Sequence, residues 1–193
     1  MINALFGFKE ECEERLKPAD GQRLWRAIND CFDLLPLAAT IDDSIFVCHG
    51  GIGDSVDTLA QVAAIPRPLD PMGGEGLRDT LDGCLLADLL WSDPTEHDGI
   101  LGVHDNVRGC ELVTFGPDRV RKFCKDNGLQ LIIRAHECVE AGYQFFAEGQ
   151  LITVFSATNY CGVYDNAGAM LVIDLDLNVQ PRVIAGRKLP WKE

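Results

Sequence analysis

Ile45-Phe46-Val47-Cys48-His49-Gly50-Gly51 is the stretch from which the fold is read. Four residues of strand-forming type run straight into a histidine, and two glycines follow. A buried strand that ends this way puts an imidazole at the mouth of a sheet, and the glycines leave room for a ligand or a metal to approach the backbone. A second copy of the design comes later, where Leu131, Ile132 and Ile133 lead into Arg134, Ala135, His136 and Glu137. Either histidine alone reads as a hydrogen-bonded structural residue. Two of them at strand ends, one beside an arginine, point to a metal-assisted phosphate site.

Outward from that stretch, the N-terminal side is helical. Ile2, Leu5, Phe8, Cys12 and Leu16 are spaced as one helical face, which Pro18 to Gly21 interrupts. Leu24, Ile28, Cys31, Phe32 and Leu35 form a second face over Gln22–Leu35, with Trp25 widening it and Pro36 ending it. Leu37–Ile41 reads as a short strand that turns at Asp42–Ser44 into the central one. On the C-terminal side, Thr58–Ile65 reads as a short helix. Pro66, Pro68, Pro71, Gly73, Gly74 and Gly76 make a long irregular stretch through about Leu81. Leu85–Trp91 is apolar again, and Val113–Phe115 is a short strand. Pro117 opens a helix that Asn127-Gly128 stops. Strands are expected at Leu131–Arg134, Leu151–Ser156, Ala169–Asp174 and Val179–Ala185, giving an α/β or α+β layered domain.

The 193 residues suffice for one domain with a core, residues 1–193, and 47% apolar composition fits a globular chain. The net charge of −13 disfavours nucleic acid and anionic membranes as partners. The acidic N-terminus, with Glu10, Glu11, Glu13 and Glu14, is not a secretory signal. None of the eight cysteines pairs as C-x-x-C, which argues for reduced thiols in the cytoplasm or nucleus and against a zinc finger.

Hydrolysis of a phosphate ester needs metal ions to polarise the phosphoryl group and activate water, and cations to hold the non-bridging oxygens. Neutral imidazole suits the first task and the planar guanidinium fork the second. The chain offers His49 and His136 for metal, and Arg108 and Arg134 for phosphate.

Longer stretches carry a family resemblance. HGG at His49–Gly51, LLWSDP at Leu89–Pro94, NVRG at Asn106–Gly109 and TFG at Thr114–Gly116 are followed by RAHE at Arg134–Glu137. FSATNYCG at Phe155–Gly162 and DNAGAM at Asp165–Met170 complete the series. In this order they resemble the C-terminal part of the catalytic domain of the phosphoprotein phosphatases, the metal-dependent serine/threonine family of protein phosphatases 1 and 2A and calcineurin. DLLWSDPTE, VTFGPDRV and LQLIIRAHECV are similar to the Kelch-repeat phosphatases of brassinosteroid-type signalling, although the chain holds no Kelch repeat. The resemblance implies a calcineurin-like metallophosphatase β-sandwich flanked by helices. It implies that His49 and His136 bind one of two divalent metals (Mn, Fe or Zn), that Arg108 grips the substrate phosphate, and that Tyr160 lies in the loop over the site. Asp93 matches an acidic residue near the cleft; Arg134, Glu137 and Asp165 are taken as structural, Trp91 as core, and His97 and His104 as loop residues.

The family's GDxHG, GDxxDRG and GNHE motifs do not occur in the sequence. Gly53-Asp54-Ser55-Val56-Asp57 imitates one of them but follows HGG and lacks the Arg-Gly, so it is not taken as a metal motif. Ile2–Phe8 resembles the helix that follows GNHE, so the N-terminal part of the fold is expected to be missing. At most one partial metal site is then retained, and little activity is expected of the chain alone. Phosphoserine and phosphothreonine proteins and regulatory subunits are the implied partners. The alternative is a non-catalytic remnant that binds phosphoproteins or a partner.

Overall fold

A computed structural model describes residues 2–68 and 78–185 of the chain. Most of the irregular Pro- and Gly-rich stretch, residues 69–77, lies outside the described residues.

The chain opens with α1 (Ile2–Leu5), α2 (Phe8–Arg15) and α3 (Pro18–Phe32). The expected first helix is two, because Gly7 takes φ 91°, a left-handed value that ends one helix and starts the next. The expected break between the helices falls earlier, at Leu16 and Lys17, and Pro18 begins α3 at its first position, where a missing N–H costs nothing. Asn29, buried against α1, accepts from the Asn3 amide at 2.7 Å and donates to the Trp25 carbonyl at 2.7 Å, tying these helices together.

The central sheet has five strands in the order β1 (Ala38–Ile41), β2 (Ile45–Cys48), β6 (Leu131–Arg134), β8 (Leu151–Val154) and β7 (Tyr143–Phe146). β2, β6 and β8 run parallel, with Ile45 opposite Leu131 and Ile132 opposite Leu151. Their near-continuous apolar runs are those of strands covered on both faces. Strand alternation divides the side chains. Phe46, Ile132 and Leu151 point to one side, where they meet Leu85, Leu89, Val120 and Phe123 of the helices α5 (Leu81–Trp91) and α6 (Pro117–Asn127). Ile45, Leu131, Ile133 and Ile152 point to the other, against Leu171, Ile173 and Val179 of the hairpin formed by β9 (Gly168–Ile173) and β10 (Val179–Ile184). The result is sheet on sheet with helices outside.

A small third sheet contains β3 (Asp93–Pro94), β4 (Val103–Asp105) and β5 (Val113–Phe115), with β5 in the middle. Of these only β5 was legible from sequence, because β3 and β4 are short and polar. β3 leaves the C-terminal end of α5 directly and so places Asp93 beside the ends of β2 and β6. Thr58 caps α4 (Leu59–Ala64) through a capping box with Gln61.

Candidate active site

The site begins with strand register. Val47 lies opposite Ile133, and the Ala135 N–H donates to the His49 carbonyl at 3.0 Å, so both chains leave the sheet side by side. His136 takes φ 62°, a left-handed conformation uncommon for a side chain of its size. This turns its ring back toward the neighbouring strand. His136 Nδ1 and His49 Nε2 lie 3.1 Å apart, with ring centroids at 4.9 Å. Trp91, expected in the core, is half-buried instead and stands at 87° to the His136 ring, 5.5 Å between centroids.

The glycines after His49 serve packing. A Cβ on Gly50 would run into the Leu90–Trp91 backbone, and one on Gly51 into the Phe115 ring and the Ser92 hydroxyl. The close approach lets the Gly50 and Gly51 N–H groups donate to the Leu89 and Asp88 carbonyls at 2.7 and 3.2 Å, in the last turn of α5, where the Asp88 carbonyl also accepts from the Ser92 N–H and hydroxyl. The expected ligand approach to this backbone is therefore replaced by a helix.

One fully buried guanidinium joins the pieces. Arg134 donates from Nε to the Gly50 carbonyl, from Nη2 to the Ser92 carbonyl at 3.1 Å and to Asp93 Oδ1 at 2.7 Å, and from Nη1 to Glu137 Oε2 at 2.7 Å. Asp93 accepts a second arginine: Arg108 Nε donates to Oδ2 at 2.6 Å, and the Asn106 amide to the same oxygen at 2.9 Å. Arg108 keeps about a third of its side chain exposed, and no hydrogen bond occupies its Nη1 among the described residues. A guanidinium anchored on one edge and open on the other is arranged to hold an oxyanion.

The electrostatics follow. Burial pushes the Asp93 carboxyl up, but hydrogen bonds from Arg108 and Asn106 and the Arg134 charge outweigh it, and the net shift is downward. Burial and the Arg134 and Arg108 charges lower the His49 imidazole, with Asp93 opposing. Burial first and Arg108 next bring His136 down to about 4. Both rings are neutral at pH 7, the form that binds metal.

A nitrogen–metal bond is about 2.0–2.1 Å, so two nitrogens on one ion at right to tetrahedral angles stand about 2.9–3.4 Å apart. The 3.1 Å between His49 and His136 falls inside that interval, so the pair fits half of a coordination shell. His136 Nε2 is buried without a hydrogen-bond partner, although a ligating imidazole ordinarily donates through its far nitrogen. Among the described residues no group of three or more His, Cys, Asp or Glu converges to complete a shell.

Tyr160 stands outside this bonded cluster, exposed in the short turn Tyr160–Gly162 with its ring against Phe155 at 5.0 Å. The loop is pegged by Asn166, buried, which donates to the Ala157 and Ala167 carbonyls at 2.8 Å each and accepts from the Tyr160 N–H at 2.9 Å. Asn166 and Asn106 went unnoticed in the sequence; the motifs NVRG and DNAGAM that contain them were the available signal. Asp54 and Asp57 pair with Arg78 and Arg119 at 2.6 and 2.9 Å. His97 and His104 bond within their own loop, to the Gly99 N–H and the Leu101 carbonyl.

A family model described as calcineurin-like phosphoesterase matches residues 8–140. The chain belongs to the calcineurin-like phosphoesterase family. The fold agrees with that of a solved relative. That relative is a protein serine/threonine phosphatase from Saccharomyces cerevisiae with similarity to human phosphatase PP5. It matches with a TM-score of 0.78 and 31% identity over 95% of this chain and 56% of that one. Serine/threonine-protein phosphatase BSL2 of Arabidopsis thaliana is 54% identical over 183 residues, 95% of this chain and 17% of that protein. The chain thus spans about half of the solved relative and about a sixth of the curated one. No helix among the described residues is long and apolar enough to cross a membrane.

Proposed function

We propose that this chain carries the phosphate-gripping and half-metal side of a metal-dependent protein serine/threonine phosphatase. The observation that carries the reading is the convergence of His49 Nε2 and His136 Nδ1 at 3.1 Å, beside an arginine pair anchored on one buried carboxylate. His49 and His136 would hold one divalent ion, Mn, Fe or Zn. Such an ion, when bound, polarises a phosphoryl oxygen and lowers the pKa of its water. Arg108 receives the phosphate oxygens of a phosphoserine or phosphothreonine through its open Nη edge. Asp93 and Arg134 hold Arg108 and the two strand ends in mutual register. Tyr160 borders the substrate from its own loop. Regulatory subunits are the partners that the same reading brings.

Two imidazoles are half of a metal shell, and among the described residues no third His, Cys, Asp or Glu converges on them. The chain alone therefore turns over little or no substrate. The same observation favours a second reading, in which the chain binds phosphoproteins without cleaving them.

The test uses a fluorescent phosphoserine peptide with the chain in Mn²⁺ or Zn²⁺. Peptide binding is expected, weakened roughly ten- to a hundredfold by Arg108→Ala, since each charge-assisted hydrogen bond is worth about 1.5–3 kcal/mol. Phosphate release is expected near buffer background. Rapid release contradicts the incomplete site, and binding indifferent to Arg108→Ala contradicts the phosphate site itself.

A further inference from the structure

The loop that carries Arg108 joins the end of β4 to the start of β5. Of its residues 106–111 only Asn106 is buried; Val107, Arg108, Gly109, Cys110 and Glu111 are exposed. A loop with its tip in water gains little from packing, so the direction of the Arg108 side chain has to come from hydrogen bonds.

Asn106 supplies most of them. Its N–H donates to the Leu112 carbonyl at 2.9 Å, and its carbonyl accepts from the Gly109 N–H at 3.3 Å, which closes the neck of the loop. Its side-chain amide donates to Asp93 Oδ2 at 2.9 Å and to the Val113 carbonyl at 3.3 Å. Its Oδ1 accepts from the Arg108 N–H at 3.0 Å, the two-residue reach of an Asx turn. The far side of the loop is tied separately, by Arg78 Nη1 donating to the Glu111 carbonyl at 3.1 Å.

Two of these bonds bracket Arg108. One fixes its backbone. The other goes to Asp93 Oδ2, the same oxygen that receives Arg108 Nε at 2.6 Å. One amide thus holds both the root of the arginine side chain and the acceptor at its head. The other carboxylate oxygen, Oδ1, is held by Arg134 at 2.7 Å, so Asp93 is fixed at both ends against rotation beneath the Arg108 guanidinium.

We propose that Asn106 is a positioning residue for phosphate recognition, setting the direction of the open Arg108 Nη edge before a substrate arrives. Preorganisation of this kind removes the ordering cost that a long, free side chain pays on binding. The inference rests on the phosphate-gripping role proposed for Arg108. A role confined to closing the neck of the loop would change stability without acting through Arg108.

The test is a double-mutant cycle on the full chain in Mn²⁺. It is read by binding of the fluorescent phosphoserine peptide and of its unphosphorylated form, and by NMR exchange of the arginine Nε–H groups with water. Asn106→Ala is expected to weaken the phosphopeptide roughly fivefold or more, since hydrogen bonds to charged groups are the stronger ones, and to leave the unphosphorylated peptide unchanged. In an Arg108→Ala background the same substitution should matter by less than about twofold, because it acts through Arg108. The Arg108 Nε–H should exchange roughly tenfold faster, while the Arg134 Nε–H, bonded to the Gly50 carbonyl, stays slow. Asn106→Ser keeps an acceptor for the Arg108 N–H but is one bond too short to donate to Asp93. It should fall between wild type and Asn106→Ala, and it carries the test if the alanine variant does not fold.

Where Arg108→Ala weakens the phosphopeptide, wild-type affinity in a folded Asn106 variant overturns the proposal. So does an equal loss in the Arg108→Ala background, or an Arg108 Nε–H that stays slow. If Arg108→Ala itself leaves phosphopeptide binding intact, the phosphate site is what fails, and the Nε–H exchange alone then decides whether Asn106 places Arg108.

Discussion

Arg134 Nη2 lies 2.7 Å from Asp93 Oδ1, and both side chains are almost wholly out of water. The pair links the end of β6 to β3, and through the Gly50 carbonyl it reaches the turn after His49. Both histidine-bearing strand ends and Arg108 therefore depend on a single guanidinium. Replacing Arg134 by Met leaves a buried carboxylate with one partner fewer and strands two carbonyls. The expected loss is about 3–5 kcal/mol of unfolding free energy, read from urea denaturation midpoints. Arg134→Lys should recover little, because one ammonium cannot span four acceptors. A Met variant within about 0.5 kcal/mol of wild type, the range of ordinary surface changes, would refute the organising role.

The same carboxylate gives a pH dependence. The Asp93 pKa is lowered in the folded chain, so the unfolded state binds the proton more readily. Its contribution is present above the unfolded value of about 3.9 and is lost as pH falls through the lower folded value. Stability measured from pH 5 down to pH 2 should fall with a proton uptake that disappears in Asp93→Asn. An unchanged acid limb in that variant would assign the uptake elsewhere.

Gly50 tests why the glycines follow His49. With the Leu90–Trp91 backbone where a Cβ would go, Gly50→Ala must push α5 away from the sheet. Overpacking of this kind costs about 1–3 kcal/mol. Gly128→Ala, with open space at its Cβ but φ 68°, separates backbone strain from steric overlap. If Gly50→Ala proves neutral, the glycine is there for something other than helix packing.

Parts of this arrangement were legible in the residues and parts were not. IFVC and LIIR announce buried parallel strands because both of their faces are covered, and a histidine at each end is visible without a structure. The family motifs then singled out Arg108, which the structure sets on Asp93, and Tyr160, which stands outside that cluster. The turn at His136 was not legible, since a left-handed φ in a non-glycine residue follows from the surrounding contacts rather than from local preference. Asp93, Asn106 and Asn166 were underread for a related reason. Each is a single polar residue whose partners reach it across turns or from distant segments, as Arg134 reaches Asp93, and no periodicity records such a contact. Pro18 was misread because proline both breaks and begins helices, and only the following residues decide which.

Asn166 should hold the Tyr160 loop locally. Asn166→Ala removes two donated bonds and one accepted one. Amide hydrogen exchange at Asn159 and Tyr160 is expected to speed up by roughly tenfold or more, since each lost bond is worth about 1 kcal/mol, while β2 and β6 stay protected. Equal acceleration in the central strands would mean that the loop is not an independent unit.

Titration of the metal-free chain with Zn²⁺, followed by calorimetry and by the imidazole resonances of His49 and His136, bears most directly on the paired histidines. The expected outcome is saturable binding of no more than one ion per chain. Both resonances should shift together, and either His49→Ala or His136→Ala should abolish the event. Uptake that persists undiminished in both variants, or the absence of any saturable binding in the wild type, would contradict a shared metal between these two rings.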